Sequence, residues 1–329
     1  MNVLDASDRT MLADSIRDLA STLGGKDHTA VMSALSEHGF VGALTSEDFG
    51  GMDVDPASAA TMVATLGAFH IAENLAEAML AARASAALDG PLAGALVAGE
   101  KCAAFSRLPG LASVADLVSG RLEHVMFAQS ADVLLARIDD GKGLALIDLS
   151  ANGVTVEPSR GLDLERPCYT VRCEDVAPIA TSVDAADIAR LDRLTDLLTA
   201  AWLQATTAHC LDSAAEHLST RSQFGRPLIA LPVLRDTLAH LRLRLENLDL
   251  LVTDAAIRPE PEAAATALSY ARAHCPAVAE KAIHLFGGMG FTWEVPMHFY
   301  LRRLRQVVDF GLAPAPQSPL AALIGEAAA

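Results

Sequence analysis

Three short segments carry residue types able to hold a charged or aromatic ligand. RSQFGRP, Arg221 to Pro227, joins a guanidinium, a ring and a glycine. An arginine offers phosphate or carboxylate a planar, permanently charged fork. Phe224 offers a face for stacking, and Gly225 permits a tight turn. By residue type alone, a helix connector with a solvated arginine is the favoured reading of the segment. GGMGF, Gly287 to Phe291, brings successive glycines, whose backbone N–H groups can approach a pyrophosphate closely. It follows a helical pattern, whereas the dinucleotide fingerprint follows a strand; a glycine helix stop fits the same residues. YLRRLR, Tyr300 to Arg305, is a basic run that reads as a solvated helix face, with Glu294 as one possible partner.

Other chemistries lack their signatures. The histidines form no metal-ligand spacing: His209–Cys210 and His274–Cys275 are adjacent pairs that point different ways on a helix. No GxSxG elbow and no phosphate-binding P-loop occurs. Lys and Arg number 25 against 41 Asp and Glu, a net charge of −16, so no basic footprint for nucleic acid is present. Five scattered cysteines without a CxxC pair are expected as reduced thiols of a cytoplasmic protein. No stretch reads as a signal peptide or membrane span.

The positioning elements follow from periodicity. The composition is rich in alanine and has only 5% aromatics, which favours packed helices. Helices are expected over Met11–Leu23 (capped by Ser7), Val31–His38 (stopped by Gly39), Ala57–Phe69 (opened by Pro56) and Asn74–Leu88 (ended by Asp89-Gly90-Pro91). Short strands follow: Ala131–Ile138 and Gly143–Leu149 flank an Asp139–Lys142 turn, with Gly153–Glu157 and Tyr169–Cys173 beyond. Helices return over Ala185–Leu218, Leu228–Ile257, Glu262–Phe286 and from Pro296 to about Asp309, before a Pro/Ala-rich tail expected to fray. The expected fold is mainly α with a small β domain: residues 1–100 helical, 101–183 β, 184–329 a helical bundle.

Together the segments resemble the acyl-CoA dehydrogenase family over nearly the whole chain. The matching stretches are LSEHGFVGALTSEDFGGMDVDP, GLDLERPCYTVRCEDVAP, RSQFGRPL and HLFGGMGFTWEVPMHFYLRR. The resemblance implies an N-terminal helical domain, a middle β-barrel-like domain and a C-terminal four-helix bundle. It implies α,β-dehydrogenation of an acyl-CoA, in which a carboxylate removes the α proton and FAD takes the β hydrogen as hydride. It implies FAD at a subunit interface, one subunit lending its neighbour Arg221, Gln223, Phe224, His284, Gly287, Gly288 and Gly290. Arg302 matches a family arginine and is expected to be structural.

The sequence departs from that pattern consistently. The family's C-terminal glutamate falls at Gly311, and the small polar residues that follow are Ala313 and Ala315. The second known base position falls at about Thr195; Asp192, Asp196 and Asp309 lie near these positions without matching them. SRLPGLASVADLVSG replaces the acidic, Gly/Ser-rich flavin loop, and Pro232 replaces a glutamine. The expectation is therefore a base-lacking β-type subunit, resembling the short subunits of heterotetrameric, steroid-degrading acyl-CoA dehydrogenases. Those are α₂β₂, hold one FAD per heterodimer and pass electrons to an acceptor such as electron-transfer flavoprotein. Two alternatives stand beside it. One is a complete homo-oligomer whose base is Asp309 or Asp196; the other is a non-catalytic stabilising subunit.

Overall fold

The computed structural model describes residues 2–258 and 260–311. Its N-terminal part has helices α1 (Ala6–Ser21), α2 (His28–Glu37), α3 (Pro56–Gly67), α4 (Leu75–Leu88) and α5 (Gly90–Val97). Aspartates start most of them. Asp5, rather than Ser7, caps α1, accepting from the Asp8 N–H at 2.9 Å. Asp27 and Asp55 do the same for α2 and α3. Asn74 precedes α4 without capping it. Its side chain donates to the Ala103 carbonyl at 3.1 Å and meets His28 Nε2 at 2.9 Å, tying the helix to the first strand.

The helix ends at Asp89-Gly90-Pro91 as expected, but the same residues also start a helix that the sequence did not indicate. Asp89 ends α4 and caps α5, accepting from the Leu92 N–H at 3.0 Å. Pro91 sits in the first turn, where its missing N–H has no intrahelical partner to lose.

Seven strands follow: β1 (Ala103–Val114), β2 (Leu117–Met126), β3 (Val133–Ile138), β4 (Gly143–Asp148), β5 (Val154–Ser159), β6 (Cys168–Val176) and β7 (Ala180–Ser182). They form one sheet in the order β5-β6-β2-β1-β3-β4-β7, with β1 and β3 parallel. The expected β3–β4 hairpin is present, with Val133 opposite Asp148. SRLPGLASVADLVSG is not a loop: most of it is the β1–β2 hairpin, turning through Ala115 and Asp116, both at positive φ. Ala115 does not announce such a turn, and Asp116 lacks the glycine that usually follows it there.

Strand alternation gives the sheet two apolar faces. Ala103, Phe105, Val133, Leu135, Leu144 and Leu146 join a core shared with the helices. Ala104, Leu134, Ala136, Ala145 and Ile147 join a second cluster with Leu122 and Val125 of β2 and Val171 of β6.

The C-terminal part has α6 (Ala185–Thr220), α7 (Pro232–Ile257), α8 (Pro261–Leu285) and α9 (Met297–Gln306), with a π-helical turn over Val307–Gly311. A two-residue ribbon, β8 (Ser222–Gln223) with β9 (Arg226–Pro227), joins α6 to α7. Leu228–Ala230 is a separate 3₁₀ turn, so α7 begins at Pro232. Ala313, Ala315 and the Pro/Ala-rich tail lie outside the described residues.

Candidate functional site

α6 and α8 end at the same end of the bundle, where the His217 and Phe286 rings lie 4.7 Å apart. Both phosphate-competent segments project from these ends. Arg221 closes α6, its N–H donating to the His217 carbonyl at 2.9 Å, and its own carbonyl accepts from Leu228 at 2.8 Å. Between these anchors the chain doubles back, with Gln223 opposite Arg226. Phe224 and Gly225 form the tip at φ 56° and 74°. Every residue from Arg221 to Pro227 is exposed, and the Phe224 ring is 86% exposed. A ring held off the bundle by a tight turn is placed for stacking, not for the core.

GGMGF forms a 3₁₀ turn directly after α8. Gly287 takes φ 62°, and nothing lies within 4 Å of where a Cβ would stand at Gly287 or Gly288. Gly290 is buried, and a Cβ there would lie 2.3 Å from the Ile283 carbonyl oxygen. His284 Nδ1 donates to the Glu280 carbonyl at 2.9 Å, and its ring meets the exposed Phe291 edge-on. Phe291 and Trp293 are each 67% exposed. One end of the bundle thus presents a guanidinium, open glycine backbone and three exposed rings.

The interior differs. A cavity of about 60 Å³ is lined by Glu73 just before α4, Glu77 of α4, Phe105 and Arg107 of β1, Arg166, and Thr195 and Trp202 of α6. Arg166 is 3% exposed and, among the described residues, makes only long ion contacts, 3.5 Å to Glu77 and 3.9 Å to Glu73. The rings of Phe127 and Trp202 lie 5.8 and 5.3 Å from its guanidinium carbon. Burial pushes the Glu77 carboxyl up, with Glu73 adding and Arg166 opposing. Thr195 donates its hydroxyl to the Leu191 carbonyl at 2.7 Å.

Neither expected aspartate lines this cavity. Asp196 accepts from Arg107 Nη1 at 2.5 Å, and Asp192 accepts from Arg137 at 2.6 Å while lying 3.3 Å from Arg107. Burial raises Asp196, with Arg107 opposing. Asp309 is exposed in the π turn, and Gly311 closes that turn. The cavity residues were not legible in the sequence: Glu73, Glu77, Arg107 and Arg166 belong to distant segments and show no shared motif. Arg302, the expected structural arginine, lies over the Trp293 ring at 5.9 Å. The buried structural arginine is its neighbour Arg303, bonded to Asp163 at 2.6 Å and to the Ile71 carbonyl at 2.8 Å.

These features define a helix–sheet–helix protein with an exposed arginine, open glycine backbone and exposed aromatic rings at one end of its terminal bundle. Residues 195–307 match the family model "Acyl-CoA dehydrogenase, C-terminal domain". FadE34, an acyl-CoA dehydrogenase of Mycobacterium tuberculosis, is 28% identical over 85% of this chain, which spans only 40% of that relative's length. IpdE2, an acyl-CoA dehydrogenase of the same organism, is 28% identical over 90% of each chain. Among solved structures, a variant of the Tcur3481–Tcur3483 steroid ACAD superposes with a TM-score of 0.86 at 20% identity, covering 98% of this chain and 99% of that one. The ChsE4–ChsE5 complex from Mycobacterium tuberculosis gives 0.82 at 18% identity, covering 100% and 99%. Residues 195–307 thus carry the acyl-CoA dehydrogenase C-terminal domain, and the chain as a whole has the acyl-CoA dehydrogenase fold.

Proposed function

We propose that this chain is one subunit of a heteromeric, FAD-dependent acyl-CoA dehydrogenase, lending half of a cofactor site to a partner subunit and supplying no catalytic base. The carrying observation is the contrast between the two regions. The bundle end is open and outward-facing, whereas the interior cavity, about 60 Å³, is far below the 300–1,000 Å³ of ordinary ligand pockets. Neither a flavin ring nor a fatty acyl chain fits there.

The bundle end does fit the outer half of FAD. Arg221 would pair with its pyrophosphate by charge-assisted hydrogen bonds. The open backbone at Gly287 and Gly288 would approach the same group, with buried Gly290 holding the turn; Gln223 and His284 would add polar contacts, and Phe224 would stack near the adenine. Bound FAD supplies the hydride acceptor; the base comes from the partner, because Gly311 and Thr195 occupy the two positions expected for it. IpdE2 and the steroid ACAD among the similar proteins support a polycyclic, steroid-derived acyl-CoA as substrate, and ChsE4–ChsE5 supports a two-chain assembly. Electron-transfer flavoprotein is the proposed acceptor.

The test is flavin content and mass, for the chain alone and then co-produced with its acyl-CoA-dehydrogenase-like partner. A colourless lone chain and a yellow complex with one FAD per heterodimer are expected. Arg221→Ala should strip FAD from the complex while the far-UV spectrum stays unchanged. A yellow, active homo-oligomer would overturn the proposal.

A further inference from the structure

The FGG stretch of the N-terminal part has no role in the site just described. Its second glycine, Gly51, closes a tight loop: a Cβ there would stand 2.0 Å from the Thr45 carbonyl oxygen. The loop fixes Thr45, whose N–H donates to the Gly42 carbonyl at 3.0 Å and whose carbonyl accepts from the Asp53 N–H at 2.9 Å. The Thr45 side chain is fully buried, yet its hydroxyl has no hydrogen-bond partner among the described residues. It lines a cavity of about 300 Å³ between the C-terminal half of α4 and the first turns of α6. A second cavity of about 410 Å³ abuts it, sharing Arg83, Arg190 and Leu194. Neither shares a lining residue with the inner cavity beside Glu77.

We propose that this groove is a separate binding site for a small organic anion with an apolar body, a carboxylate or a phosphate monoester. The groove is locally positive although the chain carries a net charge of −16: Arg83, Arg190 and Arg193 line it, against Asp53 and Asp187. The arginines are not all neutralised by carboxylates. Arg190 lies 3.1 Å from Asp187, and Arg193 is spent on the carbonyls of Ala255 and Arg258. Arg83 donates to the Leu44 carbonyl at 2.7 Å. Burial pushes its guanidinium down, the Arg190 charge adds to that, and Asp53 and Asp187 oppose it. An incoming anion would relieve this crowding. Leu88, Leu144, Leu191 and Leu194 supply the apolar wall. The buried Thr45 hydroxyl is then the polar group that orients the anion's head, and it gains in the complex the partner it otherwise lacks.

Isothermal titration of the chain with octanoate, octyl phosphate and octanol tests this. Both anions should bind at least about tenfold more tightly than octanol, and their ranking separates a carboxylate site from a phosphate site. Arg190→Gln, an exposed change that leaves folding intact, should weaken anion binding by about tenfold. Thr45→Val should weaken it while keeping or raising the thermal midpoint, because it removes an unpartnered buried hydroxyl. A purely structural threonine would not give that pair of results. Equal binding of octanol, no anion binding in the millimolar range, or unchanged affinity in Arg190→Gln would each overturn the proposal.

Discussion

At the scale of single residues, the strongest local constraint is the Arg303–Asp163 pair, with side chains 2% and 0% exposed. The guanidinium also reaches the Ile71 carbonyl at 2.8 Å and Glu165 at 3.3 Å. Removing it would leave the Asp163 charge buried without compensation. Arg303→Ala should therefore cost about 3–5 kcal/mol in denaturant unfolding. Arg303→Lys should not restore the loss, because a point charge cannot span acceptors on both sides of a fork. His70 sits in the same cluster, 3.1 Å from Glu165, with its pKa lowered to about 4 by burial and by the Arg303 charge. The unfolded chain thus binds this proton below about 6.5, whereas the folded chain binds it only near 4. Stability should fall as pH drops through that window, and His70→Gln should flatten the slope of the thermal midpoint there. An unchanged slope would show that His70 is not the titrating group.

At the scale of elements, what the sequence revealed depended on whether a segment's signal was local. Gly39 at φ 79°, Pro56 in the first turn of α3 and the Asp139–Lys142 reversal act through their own backbone, and the elements they mark are where the residues indicated. The β1–β2 hairpin was hidden because Pro109, Gly110 and Gly120 break its alternation, and its turn uses an alanine and an aspartate. Partner strands β3 and β6 supply the missing specification. α5 was hidden because Asp89-Gly90-Pro91 works equally as a stop and as a start; Asp89 serves both ends. Asp89→Ala should cost about 1 kcal/mol and raise amide exchange over Leu92–Val97, while α4 keeps its protection. If α4 loosened as well, Asp89 would be a joint between the helices rather than a cap.

At the scale of the whole molecule, one buried core joins Ile16, Leu35 and Leu66 of the N-terminal helices to Leu203, Leu248 and Leu304 of the bundle. That core fixes where α6 and α8 end, and so aims the ribbon and the glycine turn outward at one end. The two motifs at that end were legible in the sequence because each is contiguous and surface-held. The inner cavity was not, since it forms only when α4, β1, Arg166 and α6 meet. The same architecture provides a built-in reporter. The chain has two tryptophans: Trp202, 6% exposed on the cavity wall, and Trp293, 67% exposed just after the glycine turn. In Trp202→Phe, emission comes from Trp293 alone. If the glycine turn docks on a partner's FAD, adding that partner should shift this emission to the blue and cut iodide quenching several-fold, as an exposed indole becomes buried. The flavin should quench it further, and Arg221→Ala should abolish that added quenching but not the blue shift, because a protein interface can survive loss of one phosphate contact. Unchanged Trp293 emission in a complex of the expected mass would put the interface elsewhere and remove the bundle end from the cofactor site.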